Sequence, residues 1–360
     1  MPVSGNSQLK LLERLCNACA VSGDEAEVRA IVLEEIKGYT DDVQVDALGN
    51  VLATKKVVST SSQGKRGRKP IRVMLSAHMD EVGFMLVADD KEGLYRFEPV
   101  GGMDLRHLPG KTVLVGREHV PGVIGTRPIH LTTPEERRHT IPLDALRIDV
   151  GPGDPKVKLG DRAAYATRFR RSGPALISKA LDNRLGVAML IELVRDPPPH
   201  IDLLAGFTVQ EEIGLSGARV AAYAFKPDLA IAVDSTPAND LPRWDGLENE
   251  VYNTKLGLGP AIYIADGSTF SDPRLVRWLA RSAEEAGIPY QYRQPGGGGT
   301  DAGGIHKSRT GVPSISVSVP HRYSHTAASI ALLEDWKNTL ALLKAALSRV
   351  TPGLLAGERH

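Results

Sequence analysis

The sequence predicts an α/β domain interrupted by a β-rich insertion. Three observations carry this reading. Apolar runs of strand length alternate with amphipathic helical stretches from about residue 7 to residue 79. Between 83 and 174 the alternation gives way to short strands broken by Gly and Pro, and from about 175 onward it resumes. A chain of 360 residues also exceeds the size at which a single core usually stops growing, so two units, 1–82 with 175–360 and 83–174, are expected.

The elements follow in order. "LLERLCNACAV" reads as a helix carrying the two cysteines, Cys16 and Cys19. With no second pair, and no strand before it, this Cys-x-x-Cys reads as two reduced core thiols, not as a redox or zinc motif. "EAEVRAIVLEEI" is a second helix, and the Ser-, Gly- and Lys/Arg-rich stretch 55–69 is a solvated loop. "IRVMLSA" at 71–77 is a buried strand. In the insertion, "GVIGTRP", "IDVGPGD" and "KLGDRAAYATRF" read as strands and turns with no convincing helix. After it come a helix at 183–195, a strand at 203–209, a helix at 215–225, a strand at 229–233, and helices at 272–287 and 329–348.

Composition excludes several functional classes. The 44 basic residues nearly cancel the 43 acidic ones, and a formal net charge of +1 gives no field that would draw nucleic acid or anionic lipid. "MPVSGNSQLKLLERLC" lacks an apolar core of the signal-peptide type, and no run approaches the ~18 apolar residues of a membrane span. A soluble, cytoplasmic protein without membrane or nucleic-acid partners is expected.

Polar groups of one chemical kind gather at the predicted strand ends. "IRVMLSA" delivers His78 and Asp80, a His-x-Asp in which the carboxylate can bond the imidazole nitrogen turned away from a metal. "DLAIAVD" ends on Asp234, and Asp182 precedes a helix, where it could equally serve as an N-cap. "LLAGFTVQEEIGLSG" places Glu211 and Glu212 where a strand hands over to a helix, either as ligand-binding groups or as partners of the helix dipole. "SISVSVPHRYSHT" offers two histidines, His321 and His325. Isolated charges at these edges would repel one another, whereas two divalent cations sharing a carboxylate neutralise them. Imidazole and carboxylate donors without thiolate point to zinc, cobalt or manganese.

With these residues in view, the chain resembles the M42 family of dinuclear metallo-aminopeptidases, the group of TET and glutamyl or deblocking aminopeptidases. The matching motifs are "AHMDEVGF" (77–84), "ALDNRLG" (180–186), "VQEEIGLSGA" (209–218), "AVDS" (232–235), "GGTDAGGIH" (298–306) and "RYSHT" (322–326). The similarity extends into the insertion through "GGMDLRHLPGK" and "GVIGTRP". It implies a mixed-sheet α/β metallopeptidase domain with a β-rich dimerisation or oligomerisation insertion. It also implies two divalent ions per subunit, Zn²⁺ or Co²⁺ with Mn²⁺ as an alternative, and a homo-oligomer built as a dodecamer of dimers.

Carried over position by position, the resemblance makes Asp182 the bridging ligand. His78 and Asp234 then complete one site, Glu212 and His325 the other. Glu211 becomes the general base and Asp80 the carboxylate behind His78, while His321 takes a surface or supporting place. Thr300 and Asp301, in a glycine-rich loop, become candidates for substrate contact. The peptide joining Asp182 to Asn183 is expected to be cis. The implied activity is removal of N-terminal residues from peptides bearing a free amine, through a metal-bridging water from which Glu211 takes the proton. The alternatives are a related dinuclear deacylase or carboxypeptidase, and a catalytically silent assembly protein.

Overall fold

A computed structural model describes residues 5–57, 69–153, 156–247, 249–294 and 296–357. Residues 58–68, most of the basic stretch, lie outside the described residues. The chain opens with helices α1 (Gly5–Asn17) and α2 (Ala26–Glu35), then strands β1 (Asp42–Val45), β2 (Val51–Lys55) and β3 (Ile71–His78). Six strands follow: β4 (Gly83–Asp89), β5 (Leu94–Val100), β6 (Thr112–Val115), β7 (Val120–Gly125), β8 (Arg147–Asp149) and β9 (Arg162–Tyr165). They close into a barrel in the order β4-β5-β8-β7-β6-β9. The barrel has its own core, in which Phe84 meets Phe97 and Tyr165 edge to face at 5.2 and 5.4 Å. Among the described residues of 83–174, helical turns are limited to short 3₁₀ pieces, matching the expectation of no helix there.

The remaining elements are β10 (Arg170–Ser172), β11 (Ala175–Ser178), α3 (Leu181–Arg195), β12 (Ile201–Thr208), α4 (Ser216–Phe225), β13 (Leu229–Pro237), β14 (Ala261–Ile262), α5 (Pro273–Ala286), β15 (Gln291–Tyr292), α6 (Asp301–Ile305), β16 (Ser314–Arg322), β17 (Ser329–Leu332) and α7 (Leu333–Leu347). The large sheet runs β1-β2-β12-β3-β13-β16-β17-β11-β10, with β14 beside β16 and β15 beyond it. Its centre is parallel: β12 and β13 flank β3, and β16 flanks β13. Central parallel strands are covered on both faces, so β3 and β12 read as continuous apolar runs. Helix α3 is buried almost throughout, one side on the sheet and the other under α1 and α7. Helix α5 shows why its ends were legible: Asp272 accepts from Arg274 N–H at 3.0 Å, Pro273 follows, and Gly287 closes the helix at φ +64°.

Two expectations need correction. The helix expected over 329–348 begins at Leu333, because Ser329–Leu332 pair with both β11 and β16 as a strand. Cys19 lies beyond the end of α1 and is only partly buried, while Cys16 is fully buried; both are free thiols. Burial pushes the Cys16 thiol up to about 12 and that of Cys19 up to about 11, so both are protonated and unreactive at neutral pH.

Candidate metal centre

The parallel strands end side by side and present their last residues to one cleft. From β3 the chain runs into His78, Met79, Asp80 and Glu81, all buried. Beyond β12, Gln210 takes a left-handed φ of +57°, turning the backbone so that the N–H groups of Glu211 and Glu212 both reach Asp80. They donate to its two carboxylate oxygens at 3.0 and 3.2 Å, and Ser22 Oγ adds a third bond at 2.6 Å. A bare backbone is required close by: a Cβ on Gly217 would stand 2.3 Å from Asn50 Oδ1 and 2.4 Å from Val209 O.

Strand β13 continues past Asp234 to Pro237, further than the sequence suggested. Its pairing with β3 stops at Ala232, which leaves Asp234 beside His78. Asp182 precedes a cis peptide to Asn183, as the resemblance implied, and its extended ψ of 105° kinks the start of α3. After β16, Tyr323 and His325 are both left-handed, at φ +64° and +56°. His325 Nδ1 is held 2.7 Å from the carbonyl oxygen of Gly102, a barrel residue, so Nε2 is the nitrogen left for the cleft.

The result is a chain of donor atoms centred on Asp182. His78 Nε2 lies 3.1 Å from Asp182 Oδ1 and 3.5 Å from Asp234 Oδ1. His325 Nε2 lies 3.7 Å from Asp182 Oδ2 and 3.2 Å from Glu212 Oε2. On the far side of the first imidazole, Nδ1 faces Asp80, 3.1 Å from its main-chain oxygen and 3.5 Å from Oδ1. The sequence assigns Asp80 one task, supporting His78; the structure adds the positioning of both glutamates.

Without cations this cluster holds protons it would otherwise lose. Burial pushes the Glu211 carboxyl well above the usual range, and the charges of Asp234, Glu212 and Asp301 add to the effect against His78. Burial likewise lifts Glu212 to about 8, helped by Asp182 and Asp80 and opposed by His325. Burial works against ionised Asp182, yet hydrogen bonds from His325 and His78 outweigh it and hold this carboxyl well below the usual range. Burial also opposes the charged form of His325, but Asp182 and Glu212 raise it to about 9. Carboxyls that stay neutral beside imidazoles that stay charged are a buried donor set short of positive charge. Glu212 Oε1 is in addition buried without a partner. His78, Asp182 and Glu212 each offer a ligand atom within 4.8 Å of the others. These residues fit a pair of divalent cations.

Behind the cluster, a buried ionic network ties two of its loops together. Lys179 Nζ donates to both oxygens of Glu81 at 2.7 and 2.8 Å and to Ala18 O at 2.6 Å. Arg184 reaches Glu81 Oε1 at 2.9 Å, Asp80 O at 3.3 Å and also Met79 O. All three side chains are 2 % exposed or less. Removing one member of such a network strands buried charge, so Glu81→Gln is expected to destabilise the fold by about 3–5 kcal/mol. A urea midpoint shifted by less than about 1 kcal/mol equivalent would show that the network carries little stability.

Thr300 and Asp301 lie elsewhere than the resemblance implied, and of the two places open to His321 the surface one is excluded. His321 is fully buried, not at the surface, and neither ring nitrogen has a partner; burial holds its pKa below the usual value. Thr300 and Asp301 do not line the cleft. Thr300 Oγ1 is 2.6 Å from Ser316 Oγ and caps α6, while Asp301 Oδ2 accepts from Thr208 at 2.6 Å, both residues lying beneath the floor. The wall of the cleft, about 660 Å³ in volume, is formed instead by Gly297–Gly299, Ser268, Tyr263 and Arg293. The glycine-rich loop that holds Gly297–Gly299 was expected on the substrate side, whereas Ser268, Tyr263, Arg293 and the carbonyl of Gly102 were not singled out from the sequence. The motif "GGMDL" holds Gly102, but a main-chain oxygen has no residue-type signature.

Comparison with known proteins places these features in a wider set. Residues 57–342 match the model of the M42 glutamyl aminopeptidase family. The chain is 32 % identical over 356 residues to the lysyl aminopeptidase of Pyrococcus furiosus, covering 95 % of this chain and 97 % of that one. Among solved structures, a TET aminopeptidase from the marine sediment archaeon Thaumarchaeota archaeon SCGC AB-539-E09 superposes with a TM-score of 0.89 at 31 % identity, over 99 % of both chains. The TET1 peptidase of Pyrococcus horikoshii, described as assembling into a tetrahedron or a large octahedral shell, gives 0.80 at 31 % identity over 95 % of this chain and 100 % of that one.

Proposed function

The chain belongs to the M42 glutamyl aminopeptidase family and is a peptide hydrolase of the aminopeptidase class, and from that premise we propose that the strand-end cluster cleaves N-terminal residues with Glu211 as general base. His78, Asp182 and Asp234 would hold one divalent cation, and Asp182, Glu212 and His325 would hold a second. The observation that carries this is the placement of Asp182 between the two imidazoles, one carboxylate oxygen toward each. Bound there, the cations acidify water and polarise the scissile carbonyl. Glu211 lines the same cleft, and its main chain is anchored on Asp80. Its carboxylate takes the proton from the attacking water and returns it to the leaving amine. Asp80 and the Gly102 carbonyl hold the two imidazoles with Nε2 inward. A free N-terminal amine at the end of the cleft makes the reaction an exopeptidase one.

Hydrolysis of aminoacyl-anilides, with and without chelator, tests the reading. Turnover that chelator abolishes and Zn²⁺, Co²⁺ or Mn²⁺ restores is expected. A preference for N-acylated substrates would indicate the deacylase alternative, and absence of turnover with two ions bound would indicate a silent relative.

The assembly follows from the same relationship. Among the described residues the barrel contributes one carbonyl, Gly102, to the strand-end site, which suits a contact module, and the TET1 relative is described as assembling into a tetrahedron or a large octahedral shell. A homo-oligomer assembled through 83–174, a dodecamer built from dimers, is proposed. Light scattering of the metal-loaded protein at micromolar concentration should report that mass, and a monomer would contradict it.

A further inference from the structure

Outside the strand-end cluster, a second set of metal-binding side chains converges among the described residues. Cys19, just past α1, Glu27, in the first turn of α2, and His119, in the turn joining β6 to β7, each offer a ligand atom within 4.8 Å of the others. Two of them belong to the helical segment that opens the chain and the third to the barrel, so the cluster exists only where these two parts meet. Glu27 Oε2 accepts from the Cys19 N–H at 2.9 Å, which leaves Oε1 to face His119 Nε2 at 2.5 Å. All three residues are partly buried, and an imidazole–carboxylate pair exposed to this degree contributes little by itself.

The donor set has the composition of a zinc site. Thiolate, imidazole and carboxylate all bind zinc, in a tetrahedron with edges of about 3.3–3.8 Å, so seating the ion asks Glu27 and His119 to part by about 1 Å. The thiolate disfavours Mg²⁺, Ca²⁺ and Mn²⁺, and distinguishes this set from the strand-end cluster, which has none. Without a cation, burial keeps the Cys19 thiol protonated, at about 11, but a coordinated thiol gives up that proton. Thiolate and carboxylate together then balance the charge of a divalent ion. Cys19 and Glu27 also line a cavity of about 30 Å³, room for one water as fourth ligand. Of the two arginines on that cavity, Arg162 is turned to Ser22 O and Gly160 O at 3.2 and 2.9 Å, and Arg117 is exposed.

The residues after Cys19 brace the loop that follows β3. Ala20 N–H donates to Glu81 Oε1 at 3.0 Å, Ala20 O accepts from the Glu81 N–H at 2.9 Å, and Ser22 Oγ holds Asp80. We propose that Cys19, Glu27 and His119 form a zinc site, separate from the strand-end cluster, that fastens the barrel to the segment between α1 and α2. None of the three lines the cleft, so the proposal stands apart from the aminopeptidase reading.

Cobalt substitution tests it, because a thiolate bound to Co²⁺ gives a charge-transfer band in the near ultraviolet that imidazole and carboxylate ligands do not. Titration of the full-length wild type with Co²⁺ is expected to raise this band to about one thiolate-bound ion per chain. The band should be absent in Cys19→Ser, and Co²⁺ should bind roughly tenfold or more weakly in His119→Asn and Glu27→Gln. It should persist in Cys16→Ala and in Asp182→Asn, which separates it from the other thiol and from the strand-end cluster. After loading with Zn²⁺ and dialysis, the wild type should retain about one ion more than Cys19→Ser, and zinc should raise the urea midpoint of the wild type by more than that of His119→Asn.

No band in the wild type at saturating Co²⁺ overturns the proposal and leaves an ion pair beside a thiol. A band of undiminished affinity in both His119→Asn and Glu27→Gln does so as well, because a single thiolate then binds the ion without a built site. An equal rise in urea midpoint for the wild type and His119→Asn overturns the fastening of the barrel.

Discussion

Glu211→Gln is expected to keep both ions and to lose roughly two or more decades of kcat, the usual order for a missing general base. The position of residue 211 is set by its own N–H on Asp80 and by the left-handed turn at Gln210, neither of which depends on its side chain. The amide has the same size and reach but cannot take a proton from water. Metal stoichiometry after dialysis, measured beside turnover, checks it. Loss of an ion would show that residue 211 is a ligand, and full activity would place the base elsewhere.

Asp182→Asn is expected to have the larger effect on metal content. Both oxygens of Asp182 are committed: Oδ1 lies 3.1 Å from His78, and Oδ2 lies 3.3 Å from Ser324 Oγ and 3.7 Å from His325. Its carboxyl is the group of the cluster held ionised most firmly, with the two imidazoles overriding its burial. Removing that charge weakens two neighbouring sites at once, so both ions should be lost on dialysis and activity should fall to about 1 % or less of wild type. Glu212→Gln is the comparator. It touches His325 but not His78, so one ion should remain, and excess Zn²⁺ or Co²⁺ should recover part of the rate. Retention of both ions by Asp182→Asn would exclude the bridging role.

The placement of the two glutamates shows what neighbouring sequence can and cannot say. That Glu211 and Glu212 stand at a strand-to-helix handover was legible, because an apolar run followed by Gly-x-Ser-Gly has a local physical meaning. That Asp80, more than 130 residues earlier in the chain, receives both of their amides was not, because a hydrogen bond between distant segments leaves no periodicity in either. Strand β17 is similar: Ser329–Leu332 carry a helical pattern on into α7, and only pairing with β11 and β16 makes them a strand.

By itself the sequence determined the α/β alternation, the β-rich interruption, and the residue types at the strand ends, since burial period and side-chain chemistry are local properties of the chain. The tertiary structure alone decided that His321, Thr300 and Asp301 lie buried and that a barrel carbonyl holds His325. The physical reason is common to all of these. Burial and the aim of a main-chain oxygen are facts about what surrounds an atom in space, and they exist only once distant segments have packed together.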